Sequence, residues 1–297
     1  MWGSFSPVEL KDFSLLSQTF SRCTRSRLCD YTVGGVLMWR RFFQTEVCAD
    51  DCGGLIFRTH SEDETAYALA VELRHLPRAL EFLEKQGPLQ LCAVSEDLLP
   101  ALQQRYADSL SFTSDPAQSD YLYLAEDLRA LEGKKYHAQR NHMADFSKKH
   151  PHWEYLSLGE DTLCMAMDIL TAFEQDFQIN SVMAHEELLR AFEALKYGFT
   201  SPLFGGLLAE NGRVLALSIG EVQGDTLFVH VEKALRQERG AYQTMAHELL
   251  LHCPSRVTYV NREEDDGVEG LRRAKEAYHP CTLLKKYRVS VNSQILG

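Results

Sequence analysis

The sequence predicts an α+β fold built of two similar halves. Each half of the 297 residues begins with helical patterns, continues with strands joined by short turns, and ends with alternating helices and strands. Consecutive strands joined by tight turns form antiparallel sheets, whose faces are covered by the neighbouring helices. We therefore expect mostly antiparallel sheets flanked by helices, in two domains at residues 1–118 and 119–297.

The composition is that of a globular protein, with 45% hydrophobic and 25% charged residues. A net charge of −11 excludes a generally basic nucleic-acid-binding protein, although it leaves room for a local basic patch. No apolar run approaches the roughly 18 residues of a membrane-spanning helix, and the first residues lack the pattern of a secretory signal. We therefore expect a cytoplasmic protein whose cysteines are free thiols.

The first half opens at Ser6, where Ser-Pro-Val-Glu combines a capping box with proline at the first helical position. Helices are also predicted at 77–86 and 96–106. Strands are predicted at Val33–Trp39, Phe43–Cys48, Gly54–Arg58, Ala66–Leu73 and Gln90–Val94. The polar, proline-containing stretch from Thr113 to Ser119 marks the expected domain boundary.

The second half has a clear hairpin signal, because Asn211-Gly212 lies between two apolar runs. Three strands joined by short turns are predicted at Leu203–Ala209, Val214–Val222 and Thr226–Glu232. Helices are predicted at 134–149, 161–177, 184–197, 241–252 and 267–277, and further strands at Arg256–Val260 and Leu283–Val291.

Metal signals are weak in this sequence, and we expect no metal site. There is no Cys-x-x-Cys pair, and Cys48-x3-Cys52 lacks a second pair. His247 and His252 flank an acidic residue as in zinc proteases. Their spacing of five residues places them on different faces of a helix, so the protease interpretation fails.

Three segments, 134–149, 230–243 and 261–280, give the chain a resemblance to a known family. The third is the most specific, with the pattern Asn-Arg-Glu-x-Asp-x-Gly-x-x-Gly-Leu-Arg-x-x-Lys. At these residues the chain resembles the C-terminal domain of bacterial phosphatidylglycerol lysyltransferases. Members of that family resemble two fused acyltransferase domains of the GCN5-related (GNAT) fold, as in the Fem-type peptidoglycan aminoacyltransferases.

The resemblance implies transfer of an acyl or aminoacyl group to an amine or hydroxyl, without a covalent enzyme intermediate or a covalently bound cofactor. The donor would be an aminoacyl-tRNA or an acyl-CoA, and the acceptor a lipid head group or a small amine. True lysyltransferases carry a large N-terminal membrane region that is missing from this sequence, which leaves the lipid acceptor open. The alternatives are an acyl-CoA-dependent N-acetyltransferase and a non-catalytic GNAT-like binding module.

Gly240 opens a predicted helix whose first backbone N–H groups could bind a phosphate of coenzyme A or of a tRNA 3′ end. Gln237-x-x-Gly240-x-Tyr242 approximates the acyl-CoA loop of GNAT enzymes, but Tyr242 replaces a small residue. That bulk favours aminoacyl-tRNA over acyl-CoA. The alternative is a plain strand–loop–helix turn, in which glycine relieves backbone strain.

The candidate catalytic residues are Glu232, His230 and Asp265. Glu232 and His230 are two residues apart in a predicted strand, so they are expected on one face as general base and orienting group. Candidate donor- and substrate-binding residues are Arg140, Asn141, Lys233, Gly240, Tyr242, Gln243, Asn261, Arg262, Arg272 and Lys275. The charges of the third segment also suit a helix dipole without any function.

Basic residues are concentrated in two segments of this acidic chain. Residues 134–150 have a net charge of +4 and residues 272–288 of +5, which leaves −20 for the remainder. Such asymmetry suits a local anion site, although a basic helix on a solvated surface would produce it too.

Overall fold

The computed structural model describes residues 1–23, 26–60, 64–176, 189–191, 193 and 203–292. The chain forms two compact units. The first contains residues 1–121, 263–272 and the described residues from 283 onward, and the second contains residues 122–262 and 273–282. In the described parts of the chain, no helix is both long enough and apolar enough to cross a bilayer.

Strands and α-helices are interspersed along both units. The strands are β1 Ser6–Pro7, β2 Glu46–Ala49, β3 Leu55–His60, β4 Thr65–Ala70, β5 Leu89–Val94, β6 Leu110–Thr113, β7 Asp120–Leu124, β8 Glu154–Ser157, β9 Leu203–Glu210, β10 Arg213–Gln223, β11 Thr226–Ala234, β12 Tyr259–Asn261, β13 Thr282–Leu284 and β14 Tyr287–Val291. The α-helices are α1 Phe13–Cys23, α2 Val33–Trp39, α3 Leu76–Glu84, α4 Leu99–Tyr106, α5 Ala125–Ala130, α6 His137–Lys149, α7 Leu163–Asp176, α8 Ala241–Leu251 and α9 Glu269–Glu276.

The sheet of the first unit has the order β1-β2-β3-β4-β5-β14-β6. All its pairs are antiparallel except β4 with β5, which run parallel and pair only at Tyr67 and Leu91. Successive residues of β3 enter different cores: Leu55 and Phe57 pack with α1 and α2, and Ile56 packs with α3 and α4. The first unit is therefore a sheet covered by helices on both faces.

The sheet of the second unit has the order β13-β7-β12-β11-β10-β9-β8. Strands β9, β10 and β11 form the predicted antiparallel meander, with Asn211 and Gly212 at φ 50° and 79° in the first turn. Strand β12 then pairs parallel to β11, placing Asn261 beside Phe228. The predicted α+β class with mainly antiparallel sheets is confirmed by this arrangement.

Several predicted elements differ from the structure. Val33–Trp39 is a helix instead of a strand, because Thr32 caps it: its Oγ1 accepts the Gly35 N–H at 3.1 Å. Ser6 and Pro7 lie in β1, and the first helical turns begin only at Leu10. Strands β6, β7 and β8 and helix α5 were not predicted.

Two predictions cannot be followed through the structure. Most of the predicted helix 184–197, and the last residue of the predicted helix 161–177, lie outside the described residues. The domain boundary at 118/119 stays a prediction. The C-terminal strand that we assigned to the second domain belongs to the sheet of the first unit, because β14 pairs with β5 and β6.

Candidate active site

A β-bulge in β11 decides which side chains face the candidate site. The register with β10 shifts between Ile219, opposite Val231, and Gly220, opposite Val229, so His230 is an extra residue in β11. One extra residue shifts the alternation of side chains, so residues after the bulge lie on the face opposite to the one that simple alternation predicts. Glu232 therefore lies on the same face as Leu227 and Val229.

Glu232 forms an ion pair with Arg262, which follows the last residue of the neighbouring strand β12. Arg262 Nη2 donates to Glu232 Oε2, and the two side chains are only 14% and 13% exposed. The other carboxylate oxygen, Oε1, is buried and has no hydrogen-bond partner in the described structure. Burial, the largest single influence, lowers the pKa of Arg262, but the Glu232 carboxylate and two nearby tyrosines together raise it above its ordinary value.

Lys275 and Tyr123 hold the segment that carries Arg262. Lys275 Nζ donates to the Arg262 carbonyl at 2.5 Å, and the Tyr123 hydroxyl donates to the Lys275 carbonyl at 2.9 Å. Lys275 is 7% exposed, and the fully buried Asn261 lies in β12 between β7 and β11. Lys275 and Asn261 therefore belong to the framework that positions Arg262.

Glu232 and Arg262 line a small, mostly apolar cavity on this face of the sheet. Its other lining residues are Leu128, Leu131, Leu227, Val229, Ala246, His247, Leu250, Val260 and Tyr278. The Arg262 guanidinium lies 4.8 Å from the centre of the Tyr278 ring. Burial raises the pKa of Tyr278 to about 12, against the opposing effect of Arg262.

His247 is the main residue of this cavity that sequence reasoning missed. Its Nε2 lies 3.0 Å from the Arg129 carbonyl and must donate there, so in the neutral ring Nδ1 carries the free lone pair. Nδ1 is buried, and Glu248 Oε1 at 3.9 Å is too distant for a hydrogen bond. The Glu248 carboxylate is the main cause of a raised His247 pKa. Burial opposes this rise, and the Arg129 carbonyl adds to it.

The expectation that Glu232 and His230 share one face of their strand is wrong, because the bulge separates them. His230 lies 3.3 Å from Glu221, and both side chains are almost completely buried. Lys233 lies 5.1 Å from the Phe173 ring of α7, on the face opposite to Glu232. Neither His230 nor Lys233 lines the cavity that contains Glu232.

The start of α8 is shaped by packing at Gly240. This residue has φ 86°, and a Cβ atom there would collide with the His142 carbonyl oxygen of α6. Both facts require glycine, so its presence needs no phosphate. Tyr242, 37% exposed, and Gln243, half-buried, occupy the first turn of α8.

The basic residues of the segment 134–149 mostly have partners within the protein. Arg140 donates to the carbonyls of Leu131 and Gly133, and Asn141 Nδ2 lies 3.1 Å from His137 Nε2. Lys149 is paired with Glu238. Arg140 and Asn141 are exposed, but no described contact connects them to the Glu232 cavity.

Asp265 and Arg272 belong to the first unit, where they form a two-pronged ion pair with distances of 2.8 and 3.0 Å. The Tyr121 hydroxyl at 2.6 Å and the Gly267 N–H at 2.8 Å complete the bonding of the buried Asp265 carboxylate. The Arg272 guanidinium is the largest cause of an Asp265 pKa well below its usual range. Asp265 and Arg272 therefore form a structural ion pair, which we call the clamp at Asp265.

The fold is mixed α+β, and comparison with known proteins identifies the family of the chain. Residues 27–290 match the family described as phosphatidylglycerol lysyltransferase, C-terminal. The chain therefore belongs to this acyltransferase family, as the three sequence segments predicted. No curated protein matches the chain.

Solved structures agree with the family assignment. A conserved protein of unknown function from Bacteroides thetaiotaomicron is 30% identical, with a TM-score of 0.84 over 97% of this chain and 99% of that one. The C-terminal domain of a protein named as a lysylphosphatidylglycerol synthetase from Agrobacterium fabrum has a TM-score of 0.65 at 13% identity, covering 95% and 92%. FemX has a TM-score of 0.63 at 10% identity, covering 98% of both chains. The predicted fold of two fused GNAT-like domains is confirmed.

Proposed function

We propose that the protein transfers an aminoacyl group from an aminoacyl-tRNA to an amine or hydroxyl acceptor such as a lipid head group, with Glu232 as the general base. The observation that carries the proposal is the buried Glu232 Oε1, which has no donor in the described structure. An unpaired acceptor of this kind is costly and rare in folded proteins, so it supports a hydrogen bond to a bound substrate.

In the proposed reaction the acceptor nitrogen or oxygen attacks the ester carbonyl of the aminoacyl-tRNA. Glu232 Oε1 takes the proton that the nucleophile loses and returns it to the ribose oxygen as the carbon–oxygen ester bond breaks. A new amide or ester is formed and the tRNA leaves with a free hydroxyl. No redox partner is needed, and no covalent bond to the enzyme is formed.

Arg262 acts as a positioning residue in this scheme. Its bond to Oε2 fixes the rotation of the carboxylate, which leaves Oε1 as the oxygen available to substrate. Lys275 fixes the backbone of Arg262 in turn. Most of the catalytic effect would come from holding the reactants in position, to which the base contributes about 10²–10⁴-fold.

Two features of α8 support aminoacyl-tRNA over acyl-CoA as the donor. The backbone of α6 approaches Gly240 closely, and Tyr242 occupies the first helical turn, where a pyrophosphate would need space.

The experiment offers the full chain a pool of labelled aminoacyl-tRNAs with a lipid extract and a mixture of small amines. We expect label to move into lipid or amine, and Glu232→Gln to reduce the initial rate at least about 100-fold. Glu132→Gln, which changes an exposed glutamate of the same unit, should leave the rate unchanged.

Three results would contradict the proposal in different ways. Transfer from acetyl-CoA alone would make the protein an N-acetyltransferase, and binding of a donor without turnover would make it a non-catalytic module. Full activity of Glu232→Gln would exclude Glu232 as the general base. Measuring the unfolding free energy of each variant separates lost chemistry from lost folded protein.

A further inference from the structure

Two buried acceptor atoms belong to residues that line the small cavity of the second unit, and the proposed reaction uses only one of them. They are Glu232 Oε1 and His247 Nδ1, and neither has a hydrogen-bond partner in the described part of the chain. Glu232 lines the cavity from β11 and His247 from α8. Their side chains are 13% and 17% exposed, so the cavity is not sealed from solvent.

The size of the cavity limits how many groups can serve these two atoms. Its volume is about 20 Å³, and a single water-sized group needs roughly 10–15 Å³. One small polar group therefore fills the space between the carboxylate and the imidazole. Because the rest of the wall is mostly apolar and buried polar atoms are nearly always bonded, that group is the donor available to both acceptors.

The charges at the cavity suit a neutral occupant with two donors. Arg262 donates to Glu232 Oε2 and neutralises the carboxylate. His247 donates its Nε2–H to the Arg129 carbonyl at 3.0 Å, so Nδ1 of the neutral ring offers a lone pair and no proton. Water and a neutral primary amine each carry two donors and no net charge. A hydroxyl group or a secondary amine carries only one donor.

We propose that His247 is a specificity-determining residue that selects a primary amine as the acceptor substrate. The inference rests on the proposed function and narrows its acceptor from an amine or hydroxyl to an amine. One N–H of the acceptor nitrogen donates to Glu232 Oε1 and the other to His247 Nδ1. The nitrogen lone pair is then left to attack the ester carbonyl.

The protons of the reaction are accounted for by this arrangement. Glu232 takes one of them as the carbon–nitrogen bond forms and returns it to the ribose oxygen as the carbon–oxygen bond breaks. The N–H held by His247 stays on the amide product. A hydroxyl acceptor would leave one buried acceptor atom without a donor, and sites built to bond a substrate group discriminate strongly against an analogue that lacks it.

The transfer test gives the full chain aminoacyl-tRNA and two matched pairs of acceptors. One pair is phosphatidylethanolamine and phosphatidylglycerol in equal amounts in mixed vesicles, and the other is free propylamine and propanol. We expect amide product from at least one amine, and that amine shows whether the acceptor is a lipid head group or a small amine. The readout is the amide-to-ester ratio, corrected for the reaction without protein.

Two substitutions separate the role of Nδ1 from the structural bond of His247. In His247→Gln the side-chain amide can still donate to the Arg129 carbonyl, but no acceptor remains at the position of Nδ1. In His247→Asn an amide oxygen replaces Nδ1, and the bond to Arg129 is lost. The amide-to-ester ratio should fall at least about tenfold in His247→Gln and stay within about threefold of the parent value in His247→Asn.

A merely structural role of His247 would give a different pattern, because it would lower the melting temperature and the total rate without changing the ratio. Thermal melts of both variants therefore accompany the assay. The matched control is His152→Gln, at an exposed histidine of the same unit, which should change neither the ratio nor the melting temperature. An unchanged ratio in His247→Gln overturns the proposal. So does a parent chain that forms ester as readily as amide, which would leave water as the occupant.

A binding measurement keeps this proposal separate from the transfer reaction. If the parent chain transfers to no acceptor, the proposed function fails, and nitrogen NMR of the histidine-labelled chain then decides the amine site alone. Saturable movement of the His247 Nδ1 signal with propylamine, with binding of propanol at least about tenfold weaker, supports the site. If propylamine does not move that signal, or if propanol binds equally well, the site is overturned.

Discussion

Replacing Lys286 should strongly destabilise the first unit. It is 8% exposed, and its ammonium contacts Asp30 and Asp120 at 2.8 Å and Glu264 at 3.2 Å. The Cys29 thiol lies 3.2 Å away. One cation therefore serves three carboxylates in a largely buried cluster, and Lys286→Met would leave their charges without compensation.

The magnitude follows from this burial. Removing one partner of a buried ion pair costs about 3–5 kcal/mol, and three carboxylates share this one. Burial raises the pKa of Asp120 to about 7, and the opposing effect of Lys286 is smaller. Protonation of Asp120 can therefore relieve part of the repulsion near neutral pH. We expect Lys286→Met to lower the free energy of unfolding by about 3–5 kcal/mol at pH 8.

The cost of Lys286→Met in unfolding free energy should depend on pH. Burial is the largest single influence on Glu264 and raises its pKa, but Lys286 and the hydrogen bonds from Cys29 and the backbone together lower it to about 2 in the parent chain. Without the ammonium, burial should raise the pKa of Glu264 above its unfolded value, as it already does for Asp120. A carboxyl group of that kind contributes stability at low pH and loses it as the pH rises through its folded pKa. The cost of Lys286→Met should therefore be smaller at pH 5 than at pH 8.

Urea unfolding followed by circular dichroism measures the effect at both pH values. The matched control is Lys285→Met, because Lys285 is the more exposed neighbour of Lys286 and should change stability by less than about 0.5 kcal/mol. Equal stability of the two variants at pH 8 would refute the reasoning. So would a large cost for Lys286→Met that does not change between pH 5 and pH 8.

Two further predictions concern residues of the family motifs, both measured by urea unfolding. Gly240→Ala should lower the free energy of unfolding by more than about 2 kcal/mol, because the backbone is left-handed there and the new Cβ would collide with the His142 carbonyl oxygen. The control Gly224→Ala has φ 60° and open space around it, so it should cost only about 1–2 kcal/mol. Equal costs for the two variants would contradict this account. Asp265→Asn should cost about 2–3 kcal/mol at neutral pH through the loss of the charged bonds to Arg272. Because the folded-state pKa of Asp265 lies well below its ordinary value, the difference from the parent chain should shrink steadily as the pH falls below 4. A difference that does not shrink with falling pH would contradict the assignment.

The sequence predicted the elements whose local signals agree with their environment. The meander of β9, β10 and β11 follows from Asn211-Gly212 and from long apolar runs, and the helix at α8 follows from its length. A short apolar run has no decisive period, so the sequence of Val33–Trp39 predicts a strand where the structure has a helix. The Thr32 cap just before it was the signal available in the sequence.

The candidate site was predictable only in part, since Glu232 and Arg262 lie in recognisable segments but their geometry depends on the bulge. Alternation along a strand placed His230 with Glu232, and one extra residue reversed that relation. His247 is not predictable as a site residue, because its spacing does not fit a zinc site and the sequence of α8 does not indicate that it lines the Glu232 cavity. Lys286 looked like part of a basic surface, because burial among distant carboxylates is a property of the fold.

The division of the third motif between the two units explains why sequence alone mixed structural and chemical roles. Arg262 and Lys275 belong to the second unit, and Asp265 and Arg272, which lie between them in the chain, belong to the first. A polar residue in this motif can therefore be required by the clamp at Asp265 or by the cavity at Arg262. Burial and spare hydrogen-bonding capacity distinguish the two cases. Asp265 uses both oxygens within the protein, whereas Glu232, the partner of Arg262, keeps one oxygen unpaired within the described structure.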